Sequence, residues 1–352
     1  MELTGYLNKY KDKTFKELEF NEIDALIFSS LSYPHYLDIL PNKRPVNAKK
    51  MLLYLAKYHS LGLHERAKKY ISLLREVCHA KRYKGIKFVL FDKRFESESC
   101  EQFQAISMVI KKDIFVSFCG TDGTIVGIKE DMNMSYLDIT ISEIDAIHYI
   151  EKIRKKYPRK NIYIVGHSKG GRLAIRAAKS LIDKTKLVAI YAFDSPNFND
   201  DFYDKEFEKI KPLIRSYLPE ESIIGRLINP PTNSIIVQST NSLIMQHDTT
   251  SWKIDDNKFV TAESYSKRST RIVNALNKTL VKYDNNIKKE FVDVLFDILD
   301  KLNIFPFKKE VNLAIIKDAF TGFRIEWKQI PKEDRSNLKK ILFSLIIDFI
   351  KK

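Results

Sequence analysis

Residues 162–178 read IYIVGHSKGGRLAIRAA, an apolar β-type run that breaks into Gly-His-Ser-Lys-Gly-Gly and resumes as an alanine-rich helix former. The run has no polar alternation after Tyr163, the mark of a strand covered on both faces. Only a sharp turn joins such a strand directly to a helix. Gly166 and Gly170 flank Ser168 at positions where a Cβ would collide with the crossing strand and helix. The stretch therefore predicts a buried parallel strand, a strained turn carrying Ser168 at the carboxyl edge of the sheet, and a helix whose N-terminus faces that serine. A serine so placed is a candidate nucleophile, and it demands a base, an acid and two backbone donors from elsewhere in the chain.

The rest of the sequence supplies a matching frame. Residues 14–80 read mainly as helix, with Ile23, Leu26, Ile27 and Leu31 near helical spacing and Pro34, Pro41 and Pro45 marking the join to a second helical stretch at 51–77. GIKFVLFDKRF (85–95) and FQAISMVI (103–110) read as a hairpin, and DIFVSF (113–118) as a third strand. Ser142–Asp145 looks like a capping-box start for a helix carrying Ile144, Ile147 and Ile150 and ending near Pro158. Further strands are expected at KLVAIYAF (186–193) and NSIIVQST (233–240). After about residue 266 only helices are expected: 292–302, with Val292, Leu295, Leu299 and Leu302 on one face, and an apolar helix at 338–350. The expected fold is α/β, of the α/β-hydrolase type, with a mostly parallel central sheet and helices on both faces. A hydrolase-type domain over 1–265, including the helical segment 14–80, is expected to precede a helical extension over 266–352.

Composition narrows the class. A chain of 352 residues that is 44% hydrophobic can bury a sizeable core. Its three cysteines include no CxxC pair, which argues against a disulfide framework and a zinc site. No metal or cofactor is expected. The first twenty residues lack the uninterrupted apolar segment of a signal peptide, and no apolar run reaches the roughly 18–20 residues of a membrane span. A soluble, cytoplasmic protein is expected. The net charge of +15 comes from lysines spread along the chain with no basic run interleaved with aromatics, so nucleic acid is not an expected partner. Weak attraction to acidic membrane surfaces is.

Chain order identifies the base. In the order serine, acid, histidine, the base must follow Ser168, and of the seven histidines only His247 does. It lies in MQHDTTSW, just past an expected strand. Among the carboxylates between the two, Asp194 ends the strand KLVAIYAF and reaches the sheet's carboxyl edge, where chemistry collects; Glu220 and Glu221 remain alternatives. The backbone N–H of Lys169, the residue after the nucleophile, and that of Thr121, in the loop FVSFCGTDG, are the candidate oxyanion donors.

The stretches FCGTDGTIVGIKEDMNMSY, IYIVGHSKGGRLA, YAFDSPNF, YLPEESIIGRL and IMQHDTTSW, in that order, resemble the bacterial lipase-like α/β-hydrolases of the Mbeg1-like family, relatives of the class 3 lipases. FNEIDALIFSSLSY resembles that family's N-terminal segment, so the likeness spans about residues 14 to 260. It implies Ser168 as nucleophile, His247 as base, and Thr121 with Lys169 as oxyanion donors. Two positions depart from the pattern. Cys119 stands where the related lipases carry arginine, and Ser222 occupies the position of the class 3 acid. Pancreatic-type lipases resemble the alternative, a carboxylate in an Asp-then-Pro stretch, as Asp194 sits in FDSP.

A serine hydrolase acting on a carboxylic ester, lipase-like or esterase-like, is the expected function. A thioesterase or peptidase would use the same triad, and a silent scaffold binding lipid or protein would keep the fold. Lys169, beside the serine, is expected to favour anionic head groups, with the N-terminal helices and tail capping the cleft or carrying it to a lipid surface.

Overall fold

The computed structural model describes residues 1–34, 36–40, 44–57, 65–229, 231 and 233–301. The apolar helix expected at 338–350 lies outside them, as does Leu302. Helices α1 (Leu3–Tyr10), α2 (Glu22–Ser30) and α3 (Tyr36–Ile39) come first, then strand β1 (Val46–Asn47) and helices α4 (Ala48–Lys57) and α5 (Glu65–His79). Strands β2 (Lys87–Glu96), β3 (Glu101–Ile110) and β4 (Asp113–Phe118) form an antiparallel meander, as the hairpin pattern predicts. Helices α6 (Ile125–Asn133) and α7 (Ile141–Lys156) lead into alternating strand and helix: β5 (Asn161–His167), α8 (Lys169–Ser180), β6 (Leu187–Phe193), α9 (Lys205–Ile210), β7 (Ile214–Pro219) and β8 (Ile235–Val237). A two-stranded ribbon, β9 (Ile254–Asp255) and β10 (Lys258–Phe259), precedes the last two described helices, α10 (Lys267–Lys282) and α11 (Asn285–Lys301).

The eight strands β1 to β8 lie side by side in chain order, and every pair from β4 to β8 is parallel. Alternation along β5 splits the core in two. Ile162 and Ile164 pack with α7 and α8 on one face, through Ile150, Ile153, Leu173 and Ala177. Tyr163 and Val165 face the other side, where Ile27 and Phe28 of α2 pack. This is the α/β-hydrolase type of fold, with a helical segment before the sheet and helices after it.

Three local expectations change. The capping box of α7 is Thr140 with Glu143, not Ser142 with Asp145, because the Ser142 N–H is already taken by Glu130 Oε1 at 3.1 Å. The inward face of α7 carries Glu143, Asp145, Ala146, Tyr149 and Ile150, leaving Ile144 exposed. Strand β7 has no counterpart in the sequence reading, and the strand expected over 233–240 contracts to the three residues of β8.

Candidate active site

The turn after β5 has the expected form. Ser168 sits at φ 57° and ψ −133°, a region that costs a non-glycine residue of the order of 1–3 kcal/mol and persists only where neighbours impose it. Those neighbours are close. A Cβ on Gly166 would lie 2.0 Å from the Gly170 carbonyl oxygen, and one on Gly170 would lie 2.2 Å from that of Phe118. Both glycines are thus needed for strand and helix to cross here. The Ser168 N–H donates to Phe193 O at 2.9 Å and its carbonyl accepts from Gly171 N at 2.9 Å, which ties the turn to β6 and to the start of α8.

Asp194 follows the last residue of β6 and is also held at positive φ, 42°. It is buried, and its Oδ2 lies 2.6 Å from His247 Nδ1. The other oxygen, Oδ1, accepts from Ser222 Oγ at 2.5 Å and from the Gly225 N–H at 3.1 Å. A carboxylate accepts only, so Nδ1 of His247 carries the proton and Nε2 is left as an acceptor. Ser222, at the position where the class 3 pattern implies an acid, therefore donates to the carboxylate that faces the histidine. Glu221 does different work: its Oε2 accepts from Leu243 N at 2.7 Å and its Oε1 from Ser266 Oγ at 3.0 Å, so it braces the 3-10 turn Leu243–His247.

His167, set aside in the sequence reading, supports that turn from the other side. Its Nε2 meets the carbonyl of His247 at 2.9 Å and its Nδ1 meets the Tyr33 hydroxyl at 2.8 Å. The carbonyl only accepts, so Nε2 carries a hydrogen, and Nδ1 pairs with the Tyr33 hydroxyl. Tyr33 itself stacks on Tyr70 with centroids 4.5 Å apart, and Cys119 packs beside both.

Thr121 lines the same cavity as Ser168, and Lys169 follows the serine in the chain, but the Lys169 side chain is not turned towards that cavity. It is fully buried and donates to Glu130 Oε2 at 2.8 Å, Gln102 Oε1 at 2.7 Å and Gln102 O at 2.6 Å. An unpaired buried ammonium is too costly to leave unmade, so the lysine turns inward and ties the start of α8 to α6. Its backbone N–H opens that helix, where no carbonyl four residues back belongs to the helix.

Thr121 Oγ1 donates to Asp131 Oδ2 at 2.5 Å, while Asp131 Oδ1 is buried with no hydrogen-bond partner among the described residues. Neither Asp131 nor Glu130 figured in the sequence reading, because both sit in a mixed stretch with no periodic signal. Burial pushes the Asp131 carboxyl up to about 6, opposed by the Lys169 cation and the Thr121 hydroxyl. A folded-state value above the unfolded one near 4 means that the native state holds the extra proton between those two pH values. Native stability from this group is present at acid pH and is lost as pH rises towards about 6. Asp131→Asn keeps an acceptor for Thr121 without the charge. Its melting temperature should gain on wild type between pH 4 and pH 7, by an amount equivalent to about 1–3 kcal/mol; parallel melting curves across that range would contradict the assignment.

Ser168, His247, Thr121 and Asp131 open onto one cavity of about 650 Å³. Its walls are mostly apolar, from Ile128 and Met132 on α6, Ile224 and Leu227 after β7, and Leu276, Leu280, Phe291 and Val292 on the last two helices. Val292 and Phe296 of α11 bury against Tyr136, and Lys129 of α6 pairs with Asp293 at 3.1 Å. Leu295 packs against the same cluster.

Several solved lipases are similar in outline. A lipase from Rhizopus microsporus var. chinensis is 12% identical with a TM-score of 0.39, over 74% of this chain and 83% of the lipase. Lipase II from Rhizopus niveus is 12% identical with a TM-score of 0.38, over 71% and 88%. Lip2 lipase from Yarrowia lipolytica is 9% identical with a TM-score of 0.34, over 62% and 80%. No curated protein sequence matches the chain. The Mbeg1-like family model matches residues 77–297; it begins in the last turn of α5 and runs through α10 and most of α11, beyond the limit near 260 set by the motifs. More than half of the sequence lies within that match, and the chain belongs to the Mbeg1-like family.

Proposed function

We propose that the protein is a serine hydrolase of carboxylic esters, lipase-like or esterase-like, working through an acyl-enzyme on Ser168. The observation that carries this reading is the pairing of His247 Nδ1 with the buried Asp194 at 2.6 Å beside a serine in left-handed backbone, both the histidine and the serine opening onto one cavity. His247 Nε2 takes the serine proton as Ser168 Oγ attacks the ester carbonyl, then returns it to the leaving alcohol. Asp194 fixes the tautomer and stabilises the imidazolium. The N–H groups of Thr121 and Lys169 meet the tetrahedral oxyanion, and the Thr121–Asp131 hydrogen bond keeps that loop in place. Water then repeats the cycle on the acyl-enzyme. An apolar cavity of about 650 Å³, within the usual roughly 300–1,000 Å³ of small-molecule sites, suits an acyl chain. The division into a hydrolase domain over 1–265 and an extension over 266–352, and a cytoplasmic location, belong to the same proposal.

A fluorophosphonate probe tests it, because the probe requires an activated serine and no particular substrate. Wild type should label, Ser168→Ala should not, and His247→Ala should label far more slowly. Folded wild type that stays unlabelled would favour a silent scaffold. A panel of matched ester, thioester and peptide substrates separates esterase from the other chemistries.

A further inference from the structure

Among the described residues, the lining of the Ser168 cavity is almost entirely uncharged, with two exceptions besides His247: Asp131 on α6 and Lys288 on α11. The next residue, Lys289, is exposed and pairs with Asp293 at 2.5 Å. Lys288 is half-buried, and its ammonium meets Asn285 Oδ1 at 3.5 Å, with no carboxylate within salt-bridge distance among the described residues. Burial holds its ammonium below the ordinary lysine value, with Asp284 opposing. Lys288 lines an otherwise apolar cavity while its one marginal acceptor contact is solvent-exposed, so the ammonium stands at the cavity's edge with donor capacity that a ligand can satisfy.

We propose that Lys288 is a specificity-determining residue that selects esters carrying an anionic group, a phosphate or a carboxylate, on the same molecule as the acyl chain. This deepens the proposed function, and it moves anion recognition from Lys169, which is consumed by Glu130 and Gln102, to the α11 wall. Charge distribution in the cavity fits. When ionised, Asp131 repels an anion at the Thr121 side, so an anionic substituent is driven towards the wall that carries Lys288. The acyl chain then fills the apolar space between α6 and the last two helices. Charge-assisted hydrogen bonding to an ammonium gives such a substituent a direct gain in affinity.

The test separates binding from turnover. Binding of dodecyl phosphate and of dodecanol to Ser168→Ala is measured by calorimetry, with Lys288→Gln and Lys289→Gln introduced separately into that background. Lys288→Gln should weaken dodecyl phosphate by about tenfold and leave dodecanol within twofold. Lys289→Gln removes the same net charge from an exposed position and should change neither. Dodecanoate in place of the phosphate distinguishes the two anions: an equal loss indicates any oxyanion, no loss indicates phosphate. Equal affinity of Ser168→Ala and Ser168→Ala/Lys288→Gln for both anions overturns the proposal, whatever the outcome of serine labelling. In turnover, kcat/KM for 1-dodecanoylglycerol 3-phosphate should fall with Lys288→Gln while that for 1-dodecanoylglycerol holds.

Discussion

An Asp194→Asn variant is expected to keep its fold and to lose about 10³–10⁴ in kcat on any ester that wild type hydrolyses. The reason is the direction of one proton. Asp194 Oδ2 stands 2.6 Å from His247 Nδ1 and makes that nitrogen the donor. An amide placed there can present its NH₂ group instead, which turns Nδ1 into an acceptor and leaves Nε2 protonated, so that under the proposed mechanism it can no longer take the serine proton. The imidazolium formed during attack also loses its counter-charge. Ser222→Ala removes one of the two donors on Asp194 Oδ1 and leaves Gly225 N–H in place, so a smaller loss of about 2–10-fold is expected. Glu221→Gln serves as the opposing case. Its oxygen still accepts from Leu243 N, so the histidine turn should stay braced and kcat should hold within a few-fold. Steady-state rates on a soluble p-nitrophenyl ester decide between the carboxylates: a loss of 10³ in Glu221→Gln, with Asp194→Asn active, would assign the acid to Glu221.

The part of this site that sequence reveals is the part governed by local rules. The apolar runs of β4, β5 and β6, the glycines at 166 and 170, and the serine between them follow from steric demands within a few residues. His247 follows from chain order. Long-range polar contacts leave no such trace. Lys169 reads as a surface cation because nothing nearby accepts it, yet its acceptors Gln102 and Glu130 lie 67 and 39 residues earlier. His167 reads as a bystander, although its ring holds a carbonyl 80 residues away. Strand β7 escapes notice because Arg215 and Ser216 interrupt its apolar run, and pairing with β6 over four residues stabilises it all the same. On α7 the helical period is legible, but its buried face carries Glu143, whose partners Arg172 and Arg176 belong to α8.

The second large effect is expected far from the serine. Asp24 on α2 and Arg82 have fully buried side chains and form an ion pair. Arg82 Nε donates to Asp24 Oδ1 at 2.7 Å, the Tyr83 hydroxyl donates to the same oxygen at 2.8 Å, and the guanidinium also reaches Lys13 O at 3.2 Å, Leu18 O at 3.0 Å and Glu19 O at 3.1 Å. One guanidinium thus closes the loop between α1 and α2 against the start of the segment matched by the family. Asp24→Leu leaves that charge buried without its counter-ion, which costs about 3–5 kcal/mol and should be read as a clear drop in melting temperature. The double variant Asp24→Leu/Arg82→Met removes the stranded charge and is expected to be no less stable than the single one. A loss under about 1 kcal/mol in the single variant would mean that apolar contacts, such as Phe28 on Phe115 with centroids 4.7 Å apart, hold the N-terminal helices alone. Loosening α2 should also be felt in catalysis. The chain leaving that helix carries Tyr33, whose hydroxyl supports His167 and, through it, the His247 turn; below its melting temperature, Asp24→Leu should therefore turn over more slowly than its folded fraction accounts for.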